Sequence, residues 1–274
     1  MKKRTLTTLP AAFALAAMAL TGCGSSDSGS DNGGSDSSNS SKAESNKPLT
    51  SADFGTRLQA AQKDAGSYKF TMETGMAQQT QTGSGEAKVD GDKPAVHLTM
   101  GSGEQAIETI TVDGLYFIKA PMFGTDKPWL KIDPNAKTGF GALVGQMGGN
   151  QDPTSLSKAF AKVTKVEKGA EEDIDGVSAT KYTVTIAGAD LAETLKLPAE
   201  AAGFLPKEIN YDIWVDGEDR PVQMITKLAV QGQESTTTMK FTDYGSDVDV
   251  EAPPADQVTT KEPSLPSGVT KLAP

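Results

Sequence analysis

Residues 109–119 have the sequence TITVDGLYFIK, which predicts two short strands joined by a tight turn. Ile110 and Val112 alternate with polar residues, and a second strand-forming run begins at Leu115. Asp113 and Gly114 lie between the two runs, and an Asp-Gly pair readily adopts the two positive φ angles that a two-residue hairpin loop requires. The stretch therefore predicts an antiparallel β-hairpin.

The same arrangement recurs on both sides of this hairpin and predicts a sheet built by successive chain reversals. Val/Ile-Asp-Gly occurs again at residues 89–91, 174–176 and 215–217. Further runs with a period of two residues occupy 68–72, 79–89, 96–100, 129–132, 163–168, 182–186, 209–215, 222–230 and 237–241. With the first hairpin, these runs give about eleven strands at hairpin spacing, which is typical of an antiparallel meander.

Helical spacing of apolar residues is found in only a few places. It predicts helices over residues 49–65, 154–162 and 188–196, and a looser, Gly-rich helix over residues 137–149. We therefore predict an α+β fold. The antiparallel sheet would be curved into a half-barrel of about eleven strands, with the few helices on its concave side.

The beginning of the chain predicts export and lipidation. A basic start, Lys2-Lys3-Arg4, precedes an apolar run over residues 9–20 that is shorter than the about 20 residues needed to span a bilayer. Leu20-Thr21-Gly22-Cys23 then resembles the lipobox of bacterial prolipoproteins. We expect residues 1–22 to be cleaved and Cys23 to be lipidated, which would hold the protein on the outer face of the cytoplasmic membrane. The alternative is an ordinary secretory signal followed by an unpaired cysteine.

Composition divides the remaining chain into three parts. Residues 23–48 are rich in Ser, Gly and Asp and predict a flexible tether with a reach of about 25–30 Å. Residues 49–252 form one domain by size, and residues 253–274 predict a Pro-rich disordered tail.

The charge and the scarcity of Cys and His exclude several classes of function. The formal net charge is −10, or −13 after loss of the three basic residues of the signal, and this argues against nucleic-acid binding. One His and one Cys exclude a structural disulfide, a Cys/His zinc site and a Cys-His protease.

Three weaker patterns remain. Gly139, Gly141 and Gly145 miss the dinucleotide-binding spacing by one residue and fit a loop or lid. The acidic residues 171–173 fit a solvated turn better than a calcium site, and a strand would point His97 away from Val96 and Leu98.

Motifs spread along residues 48–252 resemble the LppX/LprAFG lipoprotein family of actinobacteria. Besides the lipobox and the Ser-rich tether, they are Ser67-Tyr68-Lys69-Phe70, Val112-Asp113-Gly114-Leu115-Tyr116-Phe117, Trp129-Leu130-Lys131-Ile132, Glu172-Asp173-Ile174-Asp175-Gly176, Tyr211-Asp212-Ile213-Trp214-Val215-Asp216 and Phe241-Thr242-Asp243-Tyr244-Gly245. Their order and spacing carry the resemblance. It implies the fold of the LolA and LolB carriers, with an apolar cavity for acyl chains between sheet and helices. It also implies binding or shuttling of lipid or lipoglycan, without cofactor, metal or enzymatic activity.

Strand alternation and helix faces predict which side chains line such a cavity. They are Leu98, Met100, Ile110, Val112, Phe117, Leu143, Val144, Phe160, Leu191, Leu195, Ile213 and Met224. Methionine is frequent in the predicted strands and connections, and it suits either a core or a surface that accommodates variable apolar partners. We expect a monomer that binds lipid, with an envelope protein as a further partner. Two other hypotheses remain: an envelope scaffold or sensor-modulating module without lipid, and a hydrolase with facing carboxylates.

Overall fold

The structure is a computed structural model, and it describes residues 47–76, 79–89, 94–133, 158–195, 197, 199–230 and 233–261. Its helices are α1 (Phe54–Ala65), α2 (Gly188–Thr194) and α3 (Ala199–Ala202). Its strands are β1 (Ser67–Met76), β2 (Gln79–Lys88), β3 (Ala95–Met100), β4 (Ile107–Val112), β5 (Leu115–Lys119), β6 (Trp129–Ile132), β7 (Val163–Ile174), β8 (Val177–Ala187), β9 (Glu208–Asp216), β10 (Pro221–Val230), β11 (Gln233–Thr242) and β12 (Val258–Thr259). Within these ranges, no helix is long and apolar enough to cross a membrane.

The strands form one open, curved sheet in the order β12-β6-β5-β4-β3-β2-β1-β11-β10-β9-β8-β7. It consists of two meanders, β1–β6 and β7–β11, that join where β1 pairs with β11. Every neighbouring pair is antiparallel except β12 with β6. Helices α1 and α2 pack against one face of the sheet, which we call the concave face. The predicted fold class is therefore confirmed, and each predicted strand is present.

The Asp-Gly turns follow the prediction at two of the three described positions. Asp113 and Gly114 have φ of 54° and 79°, and Asp175 and Gly176 have φ of 53° and 89°, as a two-residue hairpin requires. The prediction of a two-residue loop is wrong for residues 215–217. There the Asp216 carboxylate accepts backbone N–H groups of Glu218 and Arg220, both at 2.9 Å, and this lengthens the loop. The triplet at residues 89–91 lies largely outside the described residues.

The end of the described chain departs from the predicted disordered tail. Residues 258 and 259, which belong to the predicted tail, pair with Trp129 and Leu130 of β6, and Val248 and Val250 just before the tail are buried. The apolar side chains of this segment cover sheet residues that would otherwise be exposed, so ordered structure continues to residue 261. The rest of the predicted tail, residues 262–274, lies outside the described residues.

The helices agree with their predicted positions, with corrected ends. Helix α1 starts at Phe54 because Asp53 accepts hydrogen bonds from the N–H and hydroxyl of Thr50, at 2.6 and 2.8 Å, which fixes the turn before the helix. It ends at Gly66, whose φ is 77°. Residues 158–160 are helical, and α2 ends two residues before its predicted end. The predicted Gly-rich helix over 137–149 lies outside the described residues.

The main core lies between α1 and the concave face of β7–β11. Phe54 is fully buried, and its ring centroid lies 6.0 Å from that of Phe160 and 5.9 Å from that of Tyr182. Leu58, one turn further along α1, joins the same cluster, which also contains Ile213 of β9. Aromatic pairs at these distances add about 0.5–1.5 kcal/mol beyond their buried area. The cluster therefore fixes α1 against one half of the sheet.

Candidate functional site

Charge is segregated between the two faces of the sheet. Residues opposite each other across antiparallel strands share a face, so the register assigns a face to every strand residue. Among the described residues of β1–β6 and β8–β11, the charged side chains within the strands all lie on the convex face: Lys69, Glu73, Glu86, Lys88, Glu108, Lys119, Lys131, Lys181, Glu208, Asp212, Lys227, Glu234 and Lys240. Asp216, at the end of β9, directs its carboxylate into the following loop. The concave face of these strands therefore presents no charge.

Methionines form a row across this uncharged face. Met100 is opposite Gly83, Gly83 opposite Met72, Met72 opposite Met239 and Met239 opposite Met224. A Cβ at position 83 would lie 2.6 Å from the Met100 sulfur, so the glycine makes room for that side chain. Thioether side chains are flexible and polarizable, which suits a surface that must fit varied apolar partners.

An aromatic row lies next to the methionines, nearer to α1. Phe70 is opposite both Phe241 and Gly85, and a Cβ at position 85 would lie 2.5 Å from the Phe70 ring. The Tyr68 ring centroid is 5.9 Å from that of Phe241. Gly83 and Gly85 of β2 therefore each leave room for a large apolar side chain from a neighbouring strand.

An apolar cavity of about 50 Å³ separates α1 from these rows. Gly55, Leu58 and Gln62 of α1 form one wall. The opposite wall consists of Tyr68, Ile213, Met224, Met239 and Phe241 of the sheet, with Phe160 and Pro221 at the sides. The cavity is apolar on nearly every side.

Nine of the twelve predicted lining residues divide into four groups. Phe160, Ile213 and Met224 line the cavity, and Leu191 and Leu195 belong to the core cluster around it. Leu98 and Met100 lie on the same face, on β3, which is two strands from β1 of the cavity wall. Leu143 and Val144 lie outside the described residues.

The assignment of Ile110, Val112 and Phe117 to the cavity is wrong. Ile110 is opposite His97 and Phe117, and His97 points to the face opposite that of its neighbour Leu98. Val112 shares the face of Ile110. These side chains pack on the convex face with Trp129 and Val250 of the C-terminal segment. Apolar residues do alternate with polar ones in β4. They face the convex side of the sheet, however, where the C-terminal segment covers them.

The cavity residues missed by sequence reasoning are Leu58, Tyr68, Met239 and Phe241. Each occupies an apolar position of a correctly predicted helix or strand. The signal that identifies them is the register of β1 with β11, two strands about 170 residues apart in the chain. No local pattern contains that pairing.

The residues weighed as sites of chemistry have structural partners. The His97 Nε2 atom lies 3.6 Å from a carboxylate oxygen of Glu108 on the convex face. The carboxylate of Glu172 accepts the indole N–H of Trp214 at 2.9 Å, and Asp173 accepts the N–H of Gly176 in the hairpin loop, also at 2.9 Å. Across the described ranges, no group of three or more His, Cys, Asp or Glu side chains is placed to hold a metal ion.

An ion pair fastens α1 to the loop between β9 and β10. The Arg57 guanidinium donates two hydrogen bonds to the Asp219 carboxylate, each at 2.9 Å, and a third to the carbonyl of Lys47, also at 2.9 Å. Burial raises the pKa of Asp219, and Arg57 offsets part of this rise. Asp219 lies two residues before Pro221, which lines the cavity.

Comparisons with known proteins identify a sequence relative and solved structures of similar fold. No family model matches the chain. Over 131 residues it is 31% identical to an uncharacterized 31.2 kDa protein in the rplA-rplJ intergenic region of Streptomyces griseus, a match that covers 44% of this chain and 43% of that protein. The chain thus aligns with less than half of this relative.

Three solved structures resemble the fold. LprF from Mycobacterium bovis has a TM-score of 0.49 and 13% identity, with 74% of this chain and 96% of LprF covered. The lipoprotein LppX of Mycobacterium tuberculosis has a TM-score of 0.47 and 17% identity, with coverage of 73% and 98%. The MucA/MucB complex of Pseudomonas aeruginosa has a TM-score of 0.40 and 16% identity, with coverage of 76% and 59%. LprF and LppX bear names of the family to which the sequence motifs pointed.

Proposed function

We propose that this protein is a membrane-anchored, extracytoplasmic lipoprotein that binds or carries the acyl chains of a lipid or glycolipid, without enzymatic activity. The observation that carries the proposal is the segregation of charge. The concave face of ten strands presents methionine and aromatic rows without a charged side chain, next to an apolar cavity. A surface of this kind accepts hydrocarbon because no ion has to lose its hydration.

The binding site opens by separation of α1 from the sheet. Ligand pockets have volumes of about 300–1,000 Å³, whereas the cavity between α1 and the sheet has about 50 Å³. Transfer of a sixteen-carbon chain out of the bilayer forgoes about 13 kcal/mol at about 0.8 kcal/mol per methylene. The protein must therefore enclose the chain almost completely, and the methionine row can rearrange around it.

Anchoring through Cys23 completes the proposal. Residues 1–46 lie outside the described residues, so the cleaved signal over 1–22, the lipidated cysteine and the tether over 23–48 stay predictions. A tether with a reach of about 25–30 Å would keep the domain beside the bilayer from which a lipid is taken. The ordered domain would then extend from residue 49 to about residue 261.

A cavity-blocking substitution tests the proposal. In Met239→Trp the larger ring would fill the cavity, and in the control Ile225→Trp the same ring would lie on the convex face of the neighbouring strand. The full-length proteins are purified from envelopes, and non-covalently bound lipid is extracted with solvent and quantified by mass spectrometry. We expect about one lipid per protein for the wild type and the control, and a loss of most of it in Met239→Trp. Equal lipid in all three proteins contradicts binding in this cavity, and no lipid in the wild type contradicts lipid binding. The second result would leave the envelope scaffold or sensor-modulating module as the function.

A further inference from the structure

An exposed phenylalanine lies in the loop between α3 and β9. Among the residues that the structure describes, the exposed large apolar residues are Phe204, at 62%, and Val177, at 41%. The loop begins with residues 203–206, Gly-Phe-Leu-Pro, none of which has a polar side chain. We call these four residues the apolar loop.

Ordered backbone contacts hold Phe204 outward. Leu205, the next residue, is half-buried and packs against the main core cluster. Its N–H donates to the carbonyl of Ala202 at 3.1 Å. Gly188 leaves room for the end of the loop, because a Cβ at that position would overlap the carbonyl oxygen of Pro206. The fold therefore displays Phe204 to solvent, although the core begins one residue away.

The apolar loop lies at one end of β8, and the hairpin of β7 and β8 lies at the other. The N–H of Gly188, the residue after β8, donates to the carbonyl of Lys207 at 2.9 Å. Val177 begins β8 and Ala187 ends it, so the two ends of the strand are about 33 Å apart at about 3.3 Å per residue. Phe204 and Val177 are thus exposed at opposite ends of the domain's longest axis along this strand.

The predicted tether allows either end of β8 to reach a bilayer. Leu49, the first residue after the tether, donates its N–H to the hydroxyl of Tyr182 at 3.4 Å. Tyr182 is five residues from Val177 and five from Ala187, or about 17 Å from each end of the strand. The tether, with a reach of about 25–30 Å, spans this distance in both directions. The exposed side chains at the two ends therefore decide which end faces the membrane.

Charge favours the end with Phe204. Val177 is two residues from Asp175, whose side chain is 67% exposed, and insertion of this hairpin would strip water from that carboxylate. Phe204 has no charged residue within two positions, and the nearest carboxylates in the chain, Glu200 and Glu208, are each four residues away. Phe204 can therefore leave water without taking an ion with it.

Contact with a bilayer must be apolar because the chain is acidic. The formal net charge of −10 gives no attraction to an anionic membrane surface. Transfer of a phenylalanine side chain out of water shifts an equilibrium by about tenfold to a hundredfold. This is too little to recruit a free protein, but in an anchored protein the second contact is intramolecular. One side chain then suffices to orient the domain.

We propose that Phe204 and the apolar loop insert into the interface of the bilayer and turn this end of the domain toward the membrane. This inference rests on the lipid anchor of the proposed function. Leu205 packs against the core cluster that contains Leu58 and Ile213. Insertion would therefore bring one end of that cluster to the bilayer surface and shorten the path of an acyl chain through water.

Quenching of tryptophan fluorescence by brominated lipid tests the insertion. The full chain, held by its own lipid, is reconstituted in phosphatidylcholine vesicles with or without bromine on the acyl chains. Phe204→Trp adds one tryptophan in the apolar loop, and Val177→Trp is the matched control at the opposite end of β8. After subtraction of the wild-type signal, we expect bromine to lower the added emission of Phe204→Trp about twofold or more, because interfacial side chains reach the acyl boundary. The added emission of Val177→Trp should not change.

A further variant separates the bilayer from lipid carried inside the protein. Cys23→Ser/Phe204→Trp, which lacks the anchor, is mixed with the same brominated vesicles and recovered from the supernatant after they are pelleted. We expect its emission to be unquenched. Quenching of the same size as in the anchored protein would come from bound lipid and would overturn the bilayer contact.

The remaining outcomes distinguish this inference from the proposed function. If the wild type pellets with the vesicles but Phe204→Trp is not quenched, or is quenched no more than Val177→Trp, the insertion is overturned and the anchor is left intact. If the wild type does not pellet with the vesicles, the anchor of the proposed function is overturned, and the insertion with it.

Discussion

The ion pair between Arg57 and Asp219 should be a main fastening of α1 to the sheet. The two side chains are 12% and 14% exposed, and the guanidinium meets the carboxylate through two hydrogen bonds of 2.9 Å. Substitution of Arg57 by Met keeps much of the aliphatic length and removes the charge. Substitution of Asp219 by Asn keeps the shape, and Asn tolerates the φ of 60° at this position.

The expected loss of stability follows from the burial of the pair. Removal of one partner from a buried ion pair costs about 3–5 kcal/mol, because the other charge stays buried and unpaired. Arg57 and Asp219 retain some exposure, so we expect about 2–3 kcal/mol for Arg57→Met. The double variant should lose less than the sum of the single losses, with a coupling energy of about 1–3 kcal/mol.

The loss in Arg57→Met should depend on pH. Burial already raises the pKa of Asp219, with smaller contributions from Asp216 and Asp53, and removal of the guanidinium would raise it further. The folded state would then hold this proton more tightly than the unfolded chain, whose Asp pKa is about 3.9. Protonation therefore favours folding. The deficit relative to the wild type should be largest at pH 7 and shrink as the pH falls through the folded-state pKa of Asp219.

Urea unfolding, monitored by the fluorescence of Trp129 and Trp214, measures the differences in unfolding free energy at a series of pH values. The four proteins of the double-mutant cycle are compared at each pH. A double variant whose loss equals the sum of the single losses would refute direct coupling of the pair. A deficit of Arg57→Met that stays constant from pH 7 to pH 4 would refute the assignment of the cost to an ionised, unpaired Asp219.

Two further predictions concern the helix contact and the anchor. Gly55→Ala should destabilise the fold by about 1–3 kcal/mol, because the new Cβ would lie 2.5 Å from the backbone at residues 160 and 161. Gly217→Ala, whose Cβ meets no atom within 4 Å, is the control in urea unfolding, and equal stability of the two variants would contradict the close contact. Cys23→Ser should abolish incorporation of labelled palmitate and release the protein from the membrane pellet; label retained on the variant would place the lipid elsewhere.

The fold could be predicted from the sequence because its strands pair mostly with their neighbours in the chain. Asp113-Gly114 and Asp175-Gly176 specify their hairpins locally, through backbone angles that these residues adopt readily. The loop after Asp216 is an exception. Its length depends on hydrogen bonds from Glu218 and Arg220 to the Asp216 carboxylate, and the dipeptide Asp216-Gly217 alone does not reveal them.

The site could be predicted only in part, because a period of two identifies an apolar face without saying what covers it. Ile110 and Leu98 both belong to apolar alternations, yet they lie on opposite faces of the sheet. The convex face acquires its own apolar cluster where Val250 packs against Phe117. Val250, at the end of the predicted domain, and Val258, in the segment predicted to be disordered, supply that cover, so the sequence pattern could not distinguish the two sides.

By itself, the sequence determines that this chain makes a meander of amphipathic strands with few helices, since alternation and turn angles are local properties of the backbone. It also predicts the signal and the lipidated cysteine. Only the tertiary structure decides that Met72, Met224 and Met239 form one row, and that Lys168, Glu171 and Asp173 of the edge strand β7 carry charge on the same face. The physical reason is that these arrangements depend on strand register, which long-range pairing between β1 and β11 and the bulge in β7 fix after the local structure has formed.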